Sequence, residues 1–327
     1  MNAVQHIPQD TLEAALAQFN LGTIVRCVPV TLGIENSNYF VETQVDGHRR
    51  EYVLTILEQT PYAGDSYQPM MQSLHQAGLP VAAPIADTQG DFYGLFTLGA
   101  STTKPFLVQP KLPGKHIFNP TDGHLSALGR FLGRMHSTHR LDQLKLPPYP
   151  RDAQWLSTKQ QQINGYLGFA DQQLMQEATG AVIDLLARAD VAALPQGIVH
   201  GDLFRDNVLF NSNALSAVLD FHHAAHGFLI YDLAVTANDW CNDNSGYLNQ
   251  SRLMQLLRAY HQQRPLAPEE IWLFPLFCLY AGLAFWQSRM WVRLPGQRQA
   301  RSKNPLEFRN IVARHLRQPC YLDYRLL

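Results

Sequence analysis

The sequence predicts an α+β protein with two lobes, a small N-terminal lobe built on an antiparallel sheet and a mostly helical C-terminal lobe. Runs rich in β-branched and aromatic residues dominate the first third of the chain, and helical periodicity dominates the rest. The pattern changes at Pro113-Gly114. We therefore place the N-terminal lobe at residues 1–105, a hinge at 106–113 and the C-terminal lobe at 114–327.

The N-terminal lobe begins with an amphipathic helix, whose apolar residues recur at helical spacing between Leu12 and Phe19. Three strand-like runs follow, "IVRCVPVTL", "NYFVETQV" and "REYVLTIL", and Asp46-Gly47 joins the last two as a hairpin turn. A helix is expected over 66–77. Two further strands are expected at "FYGLFTL" and "PFLVQPKL".

The C-terminal lobe opens with a strong helix signal, since apolar residues from Leu125 to Met135 share one face and Thr121 or Asp122 can cap the helix. "LPPYP" predicts a loop, and helices then dominate apart from two short strands. The longest apolar run, "IWLFPLFCLYAGLAFW", is shorter than the roughly 20 residues of a membrane-spanning helix. It predicts a buried helix that is kinked or started at Pro275.

Composition excludes several classes of function. The 327 residues carry a net charge of −1 with only 16% charged residues, so no basic field indicates a nucleic acid or an anionic membrane as partner. The four cysteines lack metal-site or disulfide spacing, and the N-terminus lacks a secretory signal. We expect a cytoplasmic protein with reduced thiols that acts on a small molecule. Its oligomeric state is not indicated.

The stretch "VHGDLFRDNVLF" sets polar residues between two strand-like runs. A tight turn alone would explain Asp202 and Asn207. It would not explain the next run, "LSAVLDFHH", which also ends in an acid, Asp220. Two short strands would deliver the three side chains to one edge.

This spacing matches the phosphotransferase arrangement of a catalytic Asp, an Asn five residues later and a metal-binding Asp after a strand. Asp202 is the candidate base for the proton of an acceptor hydroxyl. Asn207 and Asp220 offer the hard oxygen ligands that Mg²⁺ prefers. We expect His200 to hold the loop by hydrogen bonding.

The motifs "HGDLFRDNVLF", "VLDFHHA" and "YDLAVTANDWC" resemble the aminoglycoside phosphotransferase and choline kinase superfamily. Within it, "DLFRDNVLF" with "NDWC" is similar to bacterial homoserine kinases, and the likeness extends to "LGIENSNYFVET", "YVLTILE" and "FWQSR". The resemblance implies a protein-kinase-like fold with MgATP in the cleft. It also implies phosphorylation of L-homoserine to O-phospho-L-homoserine, a step in threonine biosynthesis.

By the same resemblance, a loop between two strands covers the nucleotide phosphates with backbone N–H groups and short polar side chains. A polar hairpin turn is the alternative reading. Asp232 resembles the acid that braces the catalytic loop from the first turn of a helix. The residues implied for nucleotide binding are Gly33, Glu35, Asn36, Ser37, Asn38 and Tyr39.

The chain departs from the wider superfamily where a strand lysine should contact the phosphates, because "YVLTILE" has Thr55 there. The helix over 66–77 also lacks the usual Glu partner. Homoserine kinases of this type resemble the chain in both respects. Arg205, close to Asp202, is a candidate for the supporting cation.

A zwitterionic acceptor needs an acid for its ammonium group and an arginine for its carboxylate. Asp239 and Arg289 are the candidates, although Arg289 could equally be a surface charge at a helix end. His222, His223 and His226 are expected to make polar contacts and not to bind a transition metal.

Two other functions stay open. The first is a kinase of another small alcohol, such as an aminoglycoside, choline or a sugar amine. The second is a nucleotide-binding pseudokinase that regulates a partner, which Thr55 in the lysine position motivates.

Overall fold

The computed structural model describes two compact units, Met1–Pro113 and Gly114–Leu327. The described residues are 8–30, 36–57, 66–98, 102–243, 246–297, 303–320 and 322, and the elements and contacts of the protein are given for these residues.

The N-terminal unit contains a five-stranded antiparallel sheet with the strand order β1-β2-β3-β5-β4, and two helices. This confirms the predicted small sheet-containing part. The strands are β1 Thr23–Val30, β2 Ser37–Val45, β3 His48–Ile56, β4 Gly94–Leu98 and β5 Thr102–Pro110, and the helices are α1 Gln9–Ala17 and α2 Tyr67–Gln76.

The predicted hairpin is the turn between β2 and β3. Val45 pairs with His48, so the turn has two central residues. Asp46 and Gly47 both have positive φ, 50° and 79°, as a two-residue hairpin turn of this hand requires. Most of the predicted hinge at 106–113 is instead part of the sheet, because β5 continues to Pro110 to complete its pairing with β3.

The core of the N-terminal unit lies between α1 and the sheet. Leu12, Leu16 and Phe19 are buried there, and the Phe19 ring lies 5.7 Å from the Phe106 ring on β5. This is the apolar face that the helical spacing predicted.

The C-terminal unit is mostly helical, as predicted, with four short strands where the sequence indicated two. The strands form two antiparallel pairs, β6-β9 and β7-β8. The helices are α3 Asp122–His136, α4 Ala153–Asn164, α5 Phe169–Leu186, α6 Ala189–Ala192, α7 Leu229–Trp240, α8 Gln250–His261, α9 Pro268–Trp291 and α10 Pro305–Arg317, and the strands are β6 Gln196–Val199, β7 Val208–Asn211, β8 Ala214–Val218 and β9 Ala225–Phe228.

Helix α9 contains the longest apolar run. Among the described helices, α9 is the one that is both long enough and apolar enough to cross a membrane. However, 78% of its most apolar stretch is buried inside the protein. Phe277 and Trp286 are almost completely covered. The prediction of a buried helix is confirmed, and the helix begins at Pro268, with Pro275 inside it and not at its start.

Helices α3 and α8 pack closely because two glycines face the contact. A Cβ atom at Gly129 would meet the Leu256 carbonyl oxygen, and one at Gly133 would lie 2.8 Å from the Tyr260 carbonyl oxygen. The absence of side chains lets the two backbones approach. This contact places His136, at the end of α3, beside Tyr260 and next to the loop that follows β6.

Candidate active site

The three polar residues of the motif lie at the ends of neighbouring short strands. Asp202 follows β6, Asn207 precedes β7, and Asp220 follows β8. Val208 pairs with Val218, and the Leu219 N–H donates to the Asn207 carbonyl oxygen at 2.8 Å. Short strands do carry the three residues, but β6 belongs to the β6-β9 pair and β7 and β8 form a second pair, so the residues do not share one edge of a single sheet.

Asn207 is bonded directly to Asp202. Its Nδ2 donates to the Asp202 carbonyl oxygen at 2.8 Å and to Asp202 Oδ2 at 3.0 Å. Asn207 ends a short 3-10 turn and is almost buried, which fixes the side chain. Because Nδ2 is engaged with Asp202, the amide oxygen Oδ1 is the atom that could bind a cation.

The environment of Asp202 adjusts its proton affinity. Burial raises the pKa of the carboxyl to about 7, with a further increase from the charge of Asp220, while His223 and Arg151 act in the opposite direction. A carboxylate whose pKa lies near neutrality can both exist in the charged form and accept a proton. Asp202 therefore has the chemistry of a general base.

Asp220 has the properties of a cation ligand. It has a left-handed backbone with φ 61°, and its Oδ1 is buried with no hydrogen-bond partner among the described residues. A buried carboxylate oxygen without a donor is costly unless a cation binds it. Mg²⁺ is commonly held by one or two protein oxygen ligands together with phosphates, so Asn207 and Asp220 fit it.

No group of three or more His, Cys, Asp or Glu side chains in the described ranges could hold a metal ion. His226 uses its backbone to pair with Ile198 in the β6-β9 sheet.

A single buried carboxylate holds the catalytic loop. Asp232 Oδ2 accepts the His200 N–H at 2.6 Å, and its Oδ1 accepts the Gly201 N–H at 2.7 Å. Gly201 has φ 75°, a conformation that glycine adopts without strain. Asp232 is completely buried in the first turn of α7. The predicted bracing role of this acid is confirmed.

Asp232 is the first member of a longer buried network. His136 Nε2 lies 3.3 Å from Asp232 Oδ2, and His136 Nδ1 lies 2.8 Å from the Tyr260 hydroxyl. That hydroxyl accepts from Arg264, which is paired with Glu270 at 2.9 Å. Sequence analysis missed His136, because no spacing in the chain relates it to a carboxylate 96 residues away.

His200 connects the loop to the end of β8. Its Nδ1 accepts the Asp202 N–H at 3.3 Å, and its Nε2 lies 2.9 Å from the Leu219 carbonyl oxygen. With Nδ1 accepting, the ring proton is on Nε2 and donates to that carbonyl. Burial lowers the pKa of the imidazole, so it is neutral. The prediction that His200 holds the loop is confirmed.

Arg205 and Asp239 contact each other. Asp239 Oδ2 accepts from the Arg205 backbone N–H at 2.8 Å and lies 3.3 Å from its Nε, while the Arg205 Nη2 donates to the Asp239 carbonyl oxygen. Nη1 donates to the Phe118 carbonyl oxygen at 2.8 Å. Burial raises the pKa of Asp239, and the charge of Arg205 opposes this. Arg205 was predicted to be the supporting cation, and Asp239 was predicted separately to bind the substrate ammonium group. In the structure the two residues form one ion pair.

Arg289 is engaged at the end of α9. Its Nη1 donates to Glu307 Oε2 at 2.6 Å and to the Asn304 carbonyl oxygen at 2.8 Å, and its guanidinium lies 4.4 Å from the centre of the Phe308 ring. Sequence analysis also missed Lys303, whose Nζ lies 2.5 Å from Asp206 Oδ2 in the catalytic loop.

The residues implied for nucleotide binding belong to the N-terminal unit. Gly33 and Glu35 lie outside the described residues, Asn36 directly precedes β2, and Ser37 is the first residue of β2. Thr55, the residue in the lysine position, is buried. Its hydroxyl donates to Asn38 Oδ1 at 2.7 Å and so orients the Asn38 side-chain amide. The Tyr39 side chain, 3% exposed, lies in the core of the unit.

We expect Asp232→Asn to destabilise the protein by about 3 kcal/mol, because one amide nitrogen would face a backbone N–H that now donates to a charged oxygen. Urea unfolding measures this change. The matched control is Asp190→Asn, an exposed acid paired with Arg188, which should change stability little. Equal effects of the two substitutions would contradict the bracing role.

The fold matches solved kinase structures. The chain aligns with an amicoumacin kinase in complex with AMP-PNP and Ca²⁺ at a TM-score of 0.72, with 17% identity over 96% of this chain and 95% of that one. It aligns with a spectinomycin phosphotransferase in complex with ADP and spectinomycin at a TM-score of 0.63, with 14% identity over 94% of each chain. The fold is therefore protein-kinase-like, as predicted.

Sequence relatives cover nearly the whole chain. A homoserine kinase of Cupriavidus pinatubonensis is 34% identical over 95% of this chain and 94% of its own. A homoserine kinase of Pseudomonas aeruginosa is 33% identical over 89% of this chain and 88% of its own. The family described as "Phosphotransferase enzyme family" matches residues 26–273, which include β6 to β9 and the loop that carries Asp202. The chain belongs to this phosphotransferase family.

Proposed function

We propose that this phosphotransferase transfers the γ-phosphoryl group of ATP to the side-chain hydroxyl of L-homoserine, giving ADP and O-phospho-L-homoserine in threonine biosynthesis. The observation that carries the chemistry is the Asp202 carboxyl, with a pKa of about 7, held by Asn207. The relatives named homoserine kinase, at 33–34% identity, support the acceptor. We propose that the enzyme acts in the cytoplasm without a nucleic acid or membrane partner.

Asp202 is the proposed base. The acceptor hydroxyl would donate its hydrogen bond to the Asp202 carboxylate, which takes the proton as the oxygen attacks phosphorus. Asn207 limits the rotation of that carboxylate. Asp232 and His200 fix the backbone on either side of Gly201. Positioning of this kind lowers the entropic cost of reaching the reactive geometry.

Asn207 Oδ1 and Asp220 Oδ1 are the proposed protein ligands of Mg²⁺. The ion, when bound with ATP, would neutralise charge on the phosphate oxygens. The unpartnered Asp220 oxygen supports this assignment.

The start of β2, from Asn36 to Tyr39, with Gly33 and Glu35, would bind nucleotide phosphates, and Tyr39 would contribute through its backbone because its side chain is in the core. The positive charge of Arg205 would stabilise the phosphoryl group during its transfer. The negative charge of Asp239 would attract the ammonium group of the substrate. Arg289 was the candidate from the sequence for the acceptor carboxylate, but its Nη1 already donates to the Asn304 carbonyl oxygen and to Glu307, so it is not assigned to the acceptor.

Purified protein with MgATP should release ADP when L-homoserine is added, and much less with L-serine, L-threonine, choline or kanamycin. Asp202→Ala should lower this turnover by roughly 10²- to 10⁴-fold, because the base is lost. Binding of AMP-PNP should remain. Asp206→Ala is the matched control, since Asp206 lies in the same loop but is half-exposed and paired with Lys303, and it should keep most of the activity.

The outcomes separate the rival functions. Turnover of another alcohol in the panel would overturn the acceptor but keep the site. Nucleotide binding without turnover of any of the five would favour a pseudokinase, which the buried Thr55 in the lysine position motivates. Near-normal turnover by Asp202→Ala would contradict its role as base.

The raised pKa of Asp202 predicts a pH dependence of stability. Ionisation of the Asp202 carboxyl destabilises the folded protein, because its pKa is higher in the folded state than in the unfolded state. The free energy of unfolding therefore decreases as pH rises from 3.8 to about 7, and this loss is constant at higher pH. Asp202→Asn, which is never charged, should therefore be more stable than the wild type at pH 8 and similar to it at pH 4. Urea unfolding at both pH values measures the difference. A constant difference would contradict the shifted pKa.

Asp220→Asn should weaken Mg²⁺-dependent binding of AMP-PNP by roughly tenfold or more, because a neutral amide oxygen replaces a charged ligand. Calorimetric titration with Mg²⁺ and with EDTA measures the metal-dependent part of the affinity. Affinity in EDTA should not change. Asp206→Asn should leave both values close to the wild type, and an equal loss in the two variants would exclude a ligand role for Asp220.

A further inference from the structure

One buried cation beside Asp202 is not used by the reaction as described above. Arg151 lies between the loop "LPPYP" and helix α4, and its Nη1 is buried without a hydrogen-bond partner among the residues that the structure describes. An unsatisfied guanidinium nitrogen in a protein interior is costly. Such a cost is expected where a ligand supplies the missing acceptor.

The backbone before Arg151 is fixed to the catalytic region. The Tyr149 N–H donates to the His226 carbonyl oxygen at 2.8 Å, and the His226 N–H donates to the Pro147 carbonyl oxygen at 2.8 Å. The Tyr149 ring lies against Gly201, where an added Cβ would be 3.1 Å from Cε2. The predicted loop is thus paired with β9, which holds Arg151 close to Asp202.

Aromatic contacts hold the guanidinium as well. It lies 4.1 Å from the centre of the Phe285 ring on α9. That ring is 4.7 Å from the Phe204 ring, which belongs to the catalytic loop. A guanidinium on an aromatic face keeps its N–H groups in the plane of the group, available to a carboxylate.

Within the described ranges, no Asp or Glu forms an ion pair with Arg151. Asp152, its neighbour in the chain, accepts the Trp155 N–H and caps α4. Burial opposes the charge, but the phenols of Tyr149 and Tyr231 and the Asp202 carboxylate outweigh it, so the pKa of Arg151 lies above its ordinary value. The Tyr231 hydroxyl accepts a hydrogen bond from the Tyr149 hydroxyl at 2.8 Å and another from the Arg151 guanidinium.

Arg289 provides a direct comparison within the same group of rings. Both arginines lie on an aromatic face, Arg289 on Phe308 and Arg151 on Phe285, and the two rings stack with centres 5.3 Å apart. Nη1 of Arg289 has two acceptors, one of them a carboxylate. Nη1 of Arg151 has none among the described residues. Of the two arginines, Arg151 is therefore the one that can bind a further carboxylate.

We propose that Arg151 binds the carboxylate of the acceptor and so selects amino-acid alcohols over alcohols that lack an acid group. This inference rests on the proposed function, because it places the hydroxyl of the same molecule at Asp202. A guanidinium binds a carboxylate through two parallel N–H bonds, which fixes the orientation as well as the position of the ligand. Arg151 is thus a specificity-determining residue, and Arg289 a structural one.

The test compares L-homoserine with 3-aminopropan-1-ol, which has the same amine and hydroxyl but no carboxylate. Arg151→Lys should lower kcat/KM for homoserine by roughly 10- to 100-fold through a higher KM, because the paired bonds are lost. The value for 3-aminopropan-1-ol should change by no more than a few-fold. Calorimetric titration of homoserine in the presence of MgAMP-PNP should show the same loss of affinity without turnover.

Two further variants serve as comparisons. Arg314→Lys changes an arginine on α10 that lies 4.2 Å over the Tyr247 ring, and it should leave kcat/KM for both substrates unchanged. Arg289→Lys tests the competing assignment and should not change the preference for homoserine over 3-aminopropan-1-ol. Thermal unfolding and AMP-PNP affinity of each variant show that the fold and the nucleotide site persist.

The outcomes are distinguishable. Equal losses for homoserine and 3-aminopropan-1-ol in Arg151→Lys would overturn the inference and leave the proposed function intact. Lower affinity for AMP-PNP with unchanged KM for homoserine would assign the guanidinium to the nucleotide and also overturn it. A wild-type enzyme that neither binds nor phosphorylates homoserine would overturn the proposed function and this inference together.

Discussion

The catalytic region depends on one buried interaction, the acceptance of two successive backbone N–H groups by the Asp232 carboxylate. The loop after β6 turns sharply at Gly201, and the N–H groups of His200 and Gly201 cannot pair within a strand there. Asp232 satisfies both from the first turn of α7, where a carboxylate is also favoured by the helix. The position of Asp202 follows from this bond pair.

The surrounding structure supports the brace in several directions. The network through His136 and Tyr260 to the Arg264–Glu270 pair joins α3, α8 and α9 to the same carboxylate. Satisfied buried networks of this kind fix one arrangement, because each lost bond would leave an unpaired polar group in the interior. The Trp240 indole adds a bond to the Leu203 carbonyl oxygen at 3.1 Å. Two of the buried atoms that have no hydrogen-bond partner among the described residues, Asp220 Oδ1 and Arg151 Nη1, lie at the site.

Those unsatisfied atoms explain how the site can be reactive within a well-packed unit. Asp202 has a raised pKa because burial disfavours its charge. Within the described part of the chain, Asp220 Oδ1 has no donor and Arg151 Nη1 has no acceptor. In the proposed reaction a hydroxyl, a cation and a carboxylate would satisfy them respectively. Binding of substrates would then stabilise the same groups that weaken the free protein, a common relation between activity and stability.

The sequence by itself determined the α+β class, most of the elements, and the motif residues Asp202, Asn207 and Asp220, because periodicity, turn residues and short-range spacing are local properties. The brace from Asp232 came from resemblance to a family. Only the tertiary structure decided which charges are paired. It joined Arg205 to Asp239, gave Arg289 a carboxylate partner, and left Arg151 Nη1 without an acceptor among the residues that the structure describes. These outcomes depend on contacts between residues far apart in the chain, and no local pattern encodes whether a given arginine will find its acid.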